Sequence, residues 1–129
     1  MLALYGSLLR SLPQQRRLGF AKGLKLVGPC TIPGALYDLG RYPGLVAGEG
    51  RVRGELYRLR DAMTLARLDR FEGVALDPAL FRRIRIRLIQ PATEAWVYCY
   101  ARPVLGRPRV RSGCWLEHAR GLLLQARQV

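Results

Sequence analysis

The sequence has no asparagine, two lysines (Lys22 and Lys25) and a single histidine, His118. Its three cysteines, Cys30, Cys99 and Cys114, form no CxxC pair, and an odd number does not suit a secreted disulfide framework. Reduced thiols are the plain reading. A zinc site of the usual Cys/His kind would need unrelated positions to converge, so neither a metal nor another cofactor is expected. No apolar run approaches the ~20 residues of a membrane-spanning helix. The candidates near Val46 and at Leu122 to Leu124 are cut short by Gly, Arg or Gln. The opening MLALYGSLLR has no basic segment ahead of its apolar stretch and no small-residue cleavage site, which argues against a secretory signal. A cytoplasmic location without a membrane partner is expected.

What is present describes one domain over residues 1–129. The 129 residues, 50% hydrophobic and 24% charged, suffice to bury roughly two-thirds of the unfolded surface around one core. The net charge of +13 comes from 22 basic residues, 20 of them arginine, against 9 acidic ones, and it invites a nucleic-acid or anionic-surface reading. Lysine and asparagine share A-rich codons, however. Their scarcity therefore fits a GC-rich genome or thermal adaptation as readily as a function, and the charge alone assigns no partner.

Glycine and proline punctuate the first half at Gly28-Pro29, Pro33-Gly34, Tyr42-Pro43-Gly44 and Gly48-Glu49-Gly50, which predicts short strands separated by turns. Met1 to Tyr5 is an apolar start suited to a buried strand. Gly34 to Leu39 and Gly54 to Leu59 share an alternation after their glycines that suits strands of a curved sheet. From Asp61 the period changes: Ala62, Leu65, Leu68 and Phe71 or Glu72 recur every three or four residues. Asp61 stands at the cap and Gly73 at the stop, which predicts a helix from Asp61 to Phe71. Arg83, Arg85 and Arg87 alternate with Ile84, Ile86 and Leu88, while Trp96, Tyr98 and Tyr100 alternate with Val97 and Cys99. Both are strand signals. The tail from Ser112 carries Trp115, Ala119, Leu122 and Ala126 on one stripe and closes the chain as a helix. The sum is an α+β fold, with about six short strands in a small mixed β-barrel or curved sheet and two flanking helices.

Few residues stand out for chemistry. The arginines from Phe81 to Ile89 lack the base-stacking aromatics of an RNA-reading sheet, since only Phe81 falls in their register, and a solvated strand face is preferred. Glu72 is the acid to single out. At a helix C-terminus the macrodipole disfavours a carboxylate, and partial burial beside Leu68 and Phe71 would raise its pKa towards the range of a general acid/base. An ordinary exposed glutamate at a frayed helix end has equal weight on position alone. Asp69, on another face, reads as a surface residue. Tyr5-Gly6-Ser7-Leu8 follows a strand, where a sharp turn can aim backbone N–H groups at an anion or a developing oxyanion, although such turns are common. Ser7 lacks a nucleophile-elbow context, and a triad with the lone His118 is not supported.

Taken in order, Tyr5-Gly6-Ser7-Leu8, Gly34 to Tyr37, Tyr42-Pro43-Gly44, Gly54-Glu55-Leu56-Tyr57, Leu68 to Gly73, Arg83 after an aromatic, Trp96-Val97-Tyr98 and Ser112-Gly113-x-Trp115 cover nearly the whole chain. This set resembles the γ-glutamylcyclotransferase-like family, in its small bacterial branch related to γ-glutamylamine cyclotransferases. The resemblance implies a compact mixed barrel with a pocket formed by the loop from Tyr5 to Leu8. It implies Glu72 as general acid/base, and Tyr5, Gly6, Ser7 and Leu8 as the substrate-holding loop. The chain departs from common family patterns at Leu8, where some relatives have Asn, at Phe81, where many have Tyr, and at Cys114, where Asp is common.

The implied reaction needs little machinery. In a γ-glutamyl amide the α-amine attacks the γ-carbonyl of its own molecule, closing a five-membered ring and releasing 5-oxoproline and an amine. One carboxylate moves the proton and the loop amides steady the oxyanion, without metal or covalent nucleophile. Arg83 is a candidate to balance the substrate α-carboxylate, and equally a structural residue. The alternatives are a small-metabolite binding module using the same pocket and, further behind, a basic nucleic-acid-binding protein. The leaving amine and the oligomeric state are not encoded in any motif.

Overall fold

The computed structural model describes residues 1–9 and 12–127, with side chains up to residue 122. Three apolar residues, Leu2–Leu4, form strand β1 at the centre of the fold, and all three are buried. β1 pairs antiparallel with β3 (Pro43–Leu59) and parallel with β5 (Glu94–Tyr100). β2 (Leu24–Asp38) flanks β3, and β4 (Phe81–Arg87) flanks β5, giving the order β2-β3-β1-β5-β4.

A strand covered on both faces has no room for polar alternation, and β1 sends its residues to two cores. Leu2 and Leu4 join Tyr57, Leu68, Phe81 and Tyr98 on one side, while Ala3 and Tyr5 join Ile32, Leu45, Val52, Val97 and Trp115 on the other. The first side is covered by helix α2 (Ala62–Phe71), whose Leu68 is fully buried. Asp61 caps it as its spacing predicts, its Oδ1 accepting the Thr64 N–H at 2.6 Å. Helix α3 (Trp115–Arg127) brings Trp115 and Ala119 to the other core; Leu122 is half-exposed, and Ala126 of the expected stripe, like Leu123 and Leu124, lies outside the described side chains. A four-residue helix α1 (Gln14–Arg17) and a 3-10 turn at Ala21–Gly23 join β1 to β2.

The α+β class is as expected, but the barrel does not close and five strands replace six. β2 and β3 are 15 and 17 residues long because the glycine and proline clusters read as turns lie inside strands, where the register shifts at Leu26/Gly28 and Pro33/Ala35 mark bulges. Proline survives there because β2 is an edge strand. The same prolines keep the barrel open. Thr31 forms one isolated bridge to Gln90, just beyond β4, with its N–H 2.7 Å from the Gln90 carbonyl. The next residues facing that way along β2 are Pro29 and Pro33, neither of which has an N–H to extend the ladder.

No helix among the described residues is long and apolar enough to cross a membrane, and Cys30, Cys99 and Cys114 are free thiols.

Candidate active site

The loop after β1 is held from both sides. The Tyr5 hydroxyl donates to the Tyr98 carbonyl at 2.5 Å and accepts the Leu45 N–H at 3.1 Å, so the side chain ties the loop base to β5 and β3. Gly6 packs directly on Pro43, where a Cβ would lie 2.8 Å from the ring Cγ. The Leu9 N–H closes the turn on the Gly6 carbonyl at 3.1 Å. Gln15 of α1, itself buried, donates through Nε2 to the Leu8 carbonyl at 3.0 Å and to the Tyr57 hydroxyl at 3.1 Å. Among the described residues, the N–H groups of Gly6, Ser7 and Leu8 have no acceptor. The Gly6 and Leu8 carbonyls are thus engaged while the three amides remain available among the described residues, an arrangement suited to an anion or oxyanion.

The end of α2 borders the same cavity as the loop. Gly73, in the left-handed region at φ 68°, donates its N–H to Arg70, and the Val74 N–H reaches back to Asp69, a Schellman termination that leaves Glu72 as the C-cap. Glu72 and the loop residues Tyr5 to Leu8 line one cavity of about 230 Å³. Leu4, Tyr42, Pro43, Phe71, Leu80 and Phe81 supply most of the remaining wall, and among the described residues Glu72 is the only charged one in the lining. Burial in this apolar setting pushes its carboxyl from 4.5 up to about 7. Burial, rather than the helix dipole invoked from its position, is therefore the main cause. Burial also raises the Tyr5 and Tyr98 hydroxyls, with the nearby Glu72 charge adding to both.

Arg83 stands outside this lining. Its Nε donates to Asp69 Oδ1 at 2.8 Å, and its guanidinium lies 4.2 Å from the Trp96 ring centroid. Asp69 is correspondingly not the surface residue its helical position predicts: the side chain is 25% exposed and also accepts the Tyr98 hydroxyl at 2.7 Å. Its partners come from β4 and β5, and no local signal announces them. Gln15 is the other residue that sequence reasoning passes over, since its hydroxyl partner lies 42 positions away. Along the arginine strand, Arg85 pairs with Glu94 and lies 5.5 Å from the Trp96 ring centroid, while Arg87 reaches the Ala92 carbonyl. Two guanidinium groups therefore cover the exposed-side ring that a stacked base would use.

A buried acid of raised pKa and a loop with amides that have no acceptor among the described residues thus share one small, mostly apolar cavity on this sheet. The family model "Gamma-glutamyl cyclotransferase, AIG2-like" matches residues 2–117. The chain belongs to that family. It is 40% identical over 115 residues to the γ-glutamylcyclotransferase family protein YtfP of Escherichia coli, covering 88% of this chain and 93% of that protein. The solution structure of Escherichia coli YtfP superposes with a TM-score of 0.70 at 37% identity, over 92% of this chain and 97% of that one. An AIG2-like protein from Mus musculus gives a TM-score of 0.68 at 25% identity, over 85% of this chain and 84% of that one. Membership supports cyclotransferase-type activity on a small γ-glutamyl molecule.

Proposed function

We propose that this protein converts a γ-glutamyl amide into 5-oxoproline and a free amine, with Glu72 as the general acid/base and the amides of Gly6, Ser7 and Leu8 as the oxyanion site. The observation that carries this reading is that Glu72, its carboxyl raised to about 7 by burial, lines the same small cavity as the loop from Gly6 to Leu8. In the first step the Glu72 carboxylate accepts a proton from the substrate α-ammonium, and the amine nitrogen forms a bond to the γ-carbon. The carbonyl oxygen gains charge beside the loop amides. As the tetrahedral centre collapses, the bond to the leaving nitrogen breaks and that nitrogen takes the proton from Glu72; the second proton on the ring nitrogen then passes through the Glu72 carboxylate to the released amine, which departs as an ammonium ion. Atoms balance without water, metal or covalent enzyme intermediate.

The raised pKa serves both halves of the cycle. Transfer of the α-ammonium proton runs less far uphill to a carboxylate at about 7 than to one at 4.5. To an unperturbed glutamate it would cost about 3 kcal/mol more. The apolar wall that raises the pKa also excludes water from the ring-closing geometry.

The test is 5-oxoproline release from a panel of γ-glutamyl amino acids and γ-glutamyl amines. Wild type is expected to turn over at least one, with kcat/KM rising with pH through about 7 as Glu72 ionises, and Glu72→Gln is expected to lose about 100-fold or more. Equal release by both proteins would remove Glu72 from the mechanism. A ligand that binds and is recovered unchanged across the panel would make the cavity a binding site instead.

A further inference from the structure

The mechanism above leaves Asp69 unused, yet it lies one helical turn before Glu72 and is anchored more firmly. Its Oδ1 accepts both the Arg83 Nε at 2.8 Å and the Tyr98 hydroxyl at 2.7 Å, and Arg83 is in turn seated over Trp96. The series Trp96, Arg83, Asp69, Tyr98 thus ends on a residue that lines the cavity.

A hydroxyl has one proton to donate and lone pairs to accept with. Tyr98 gives its proton to Asp69, an acceptor-only group held in place by the ion pair, so towards any other partner its oxygen acts as an acceptor. Tyr5 contrasts with it, because its hydroxyl already donates to the Tyr98 carbonyl and accepts from Leu45. Of these two cavity tyrosines, Tyr98 is the one whose hydroxyl accepts no hydrogen bond among the described residues, and so it has the greater accepting capacity for a ligand.

We propose that Asp69 is a positioning residue that fixes the Tyr98 hydroxyl as an acceptor for the α-ammonium group of the substrate, beside Glu72. This rests on the cyclotransferase reading of the cavity. The ammonium has N–H donors enough for both residues: Glu72 takes the proton that is transferred, and Tyr98 Oη holds another. That second hydrogen bond orients the amine so that its freed lone pair faces the γ-carbon. No bond to Tyr98 forms or breaks, and its proton stays directed at Asp69. Arg83 acts on the substrate only through this chain.

Binding rather than turnover separates this role from that of Glu72. Calorimetry with γ-glutamylbutylamide is carried out on Glu72→Gln protein, and then with Tyr98→Phe, Asp69→Ala or both added. Each single change is expected to weaken binding about tenfold, the worth of one hydrogen bond to a charged group. The pair together should weaken it no further, because residues acting as one unit are non-additive. Asp69→Asn, which keeps the shape and an acceptor oxygen, should give a smaller loss in the same direction and covers the case in which the alanine variant fails to fold. A merely structural Asp69 would lower the melting temperature without this non-additivity. Unchanged affinity in the Asp69 variants, or additive losses, would overturn the proposal, while turnover by wild type would leave the cyclotransferase reading intact. A coupled loss of binding in a protein whose wild type releases no 5-oxoproline would support Asp69 and sink the reaction. Failure of the probe to bind at all would overturn both.

Discussion

Glu72 links the stability of the fold to pH, with the sign set by its upward shift. Burial pushes the carboxyl from 4.5 up to about 7, so between those values the folded chain holds a proton that the unfolded chain has released. The stabilisation is therefore complete below about pH 4.5 and is lost as pH rises through about 7, opposite to an acid held ionised by an ion pair. Over the whole window the loss is about 3 kcal/mol, of which about 2.5 kcal/mol falls between about pH 5 and about pH 8.5. Partial exposure of the residue makes these upper values.

Urea unfolding of wild type and Glu72→Gln at the two pH values measures the effect directly. The two proteins differ at one residue, so the difference between the two profiles isolates Glu72. Wild type should lose about 2.5 kcal/mol more than the variant on going to the higher pH, equivalent to roughly 10 °C in melting temperature. The variant should be the more stable protein at alkaline pH. Parallel profiles would refute a titrating, buried carboxyl at this position, and the proton transfer built on it would fall as well.

The loop offers two further tests. Gly6→Ala places a Cβ 2.8 Å from Pro43 Cγ and 3.0 Å from its Cδ, on a buried ring with little freedom to yield, so it should cost about 1–3 kcal/mol in urea unfolding and raise KM; wild-type stability and KM would show that this contact does not hold the loop. Gln15→Leu strips a donor from the Leu8 carbonyl and the Tyr57 hydroxyl and should cost about 1–3 kcal/mol. A loss below about 0.5 kcal/mol would mean that water replaces the amide, and the loop would not depend on α1.

What the sequence conveys here follows the range of the interaction. Helix α2 is legible because its cap, stripe and stop all lie within a dozen positions, and the Asp61 contact to Thr64 spans three. Glu72 could be singled out because its place follows from that helix alone. The glycine and proline clusters mislead because a turn and a bulge in a long strand use the same residues, and only pairing across the β2 to β3 register decides between them. Asp69 reads as surface because the groups that bury it, Arg83 and Tyr98, are 14 and 29 positions away. Gln15 has no pattern at all around it, on a helix of four residues.

One local device builds both the acid and the wall that tunes it. The left-handed Gly73 ends α2 with Phe71 and Glu72 on one side and turns the chain so that Leu80 returns its N–H to the Gly73 carbonyl at 3.1 Å. Leu80 and Phe81 then line the same cavity as the residues that precede the turn. The approach is close: a Cβ on Gly73 would stand 2.9 Å from Leu76 Cδ1 and 3.0 Å from Leu80 Cβ. A side chain here would strain a backbone region that favours glycine and would also push Leu80 away from the cavity. The water admitted would lower the desolvation that holds the Glu72 carboxyl near neutrality. Helix termination, cavity closure and the proton affinity of the proposed catalyst are thus consequences of the same turn, and the glycine of the Phe71-Glu72-Gly73 segment shapes the setting of its acid.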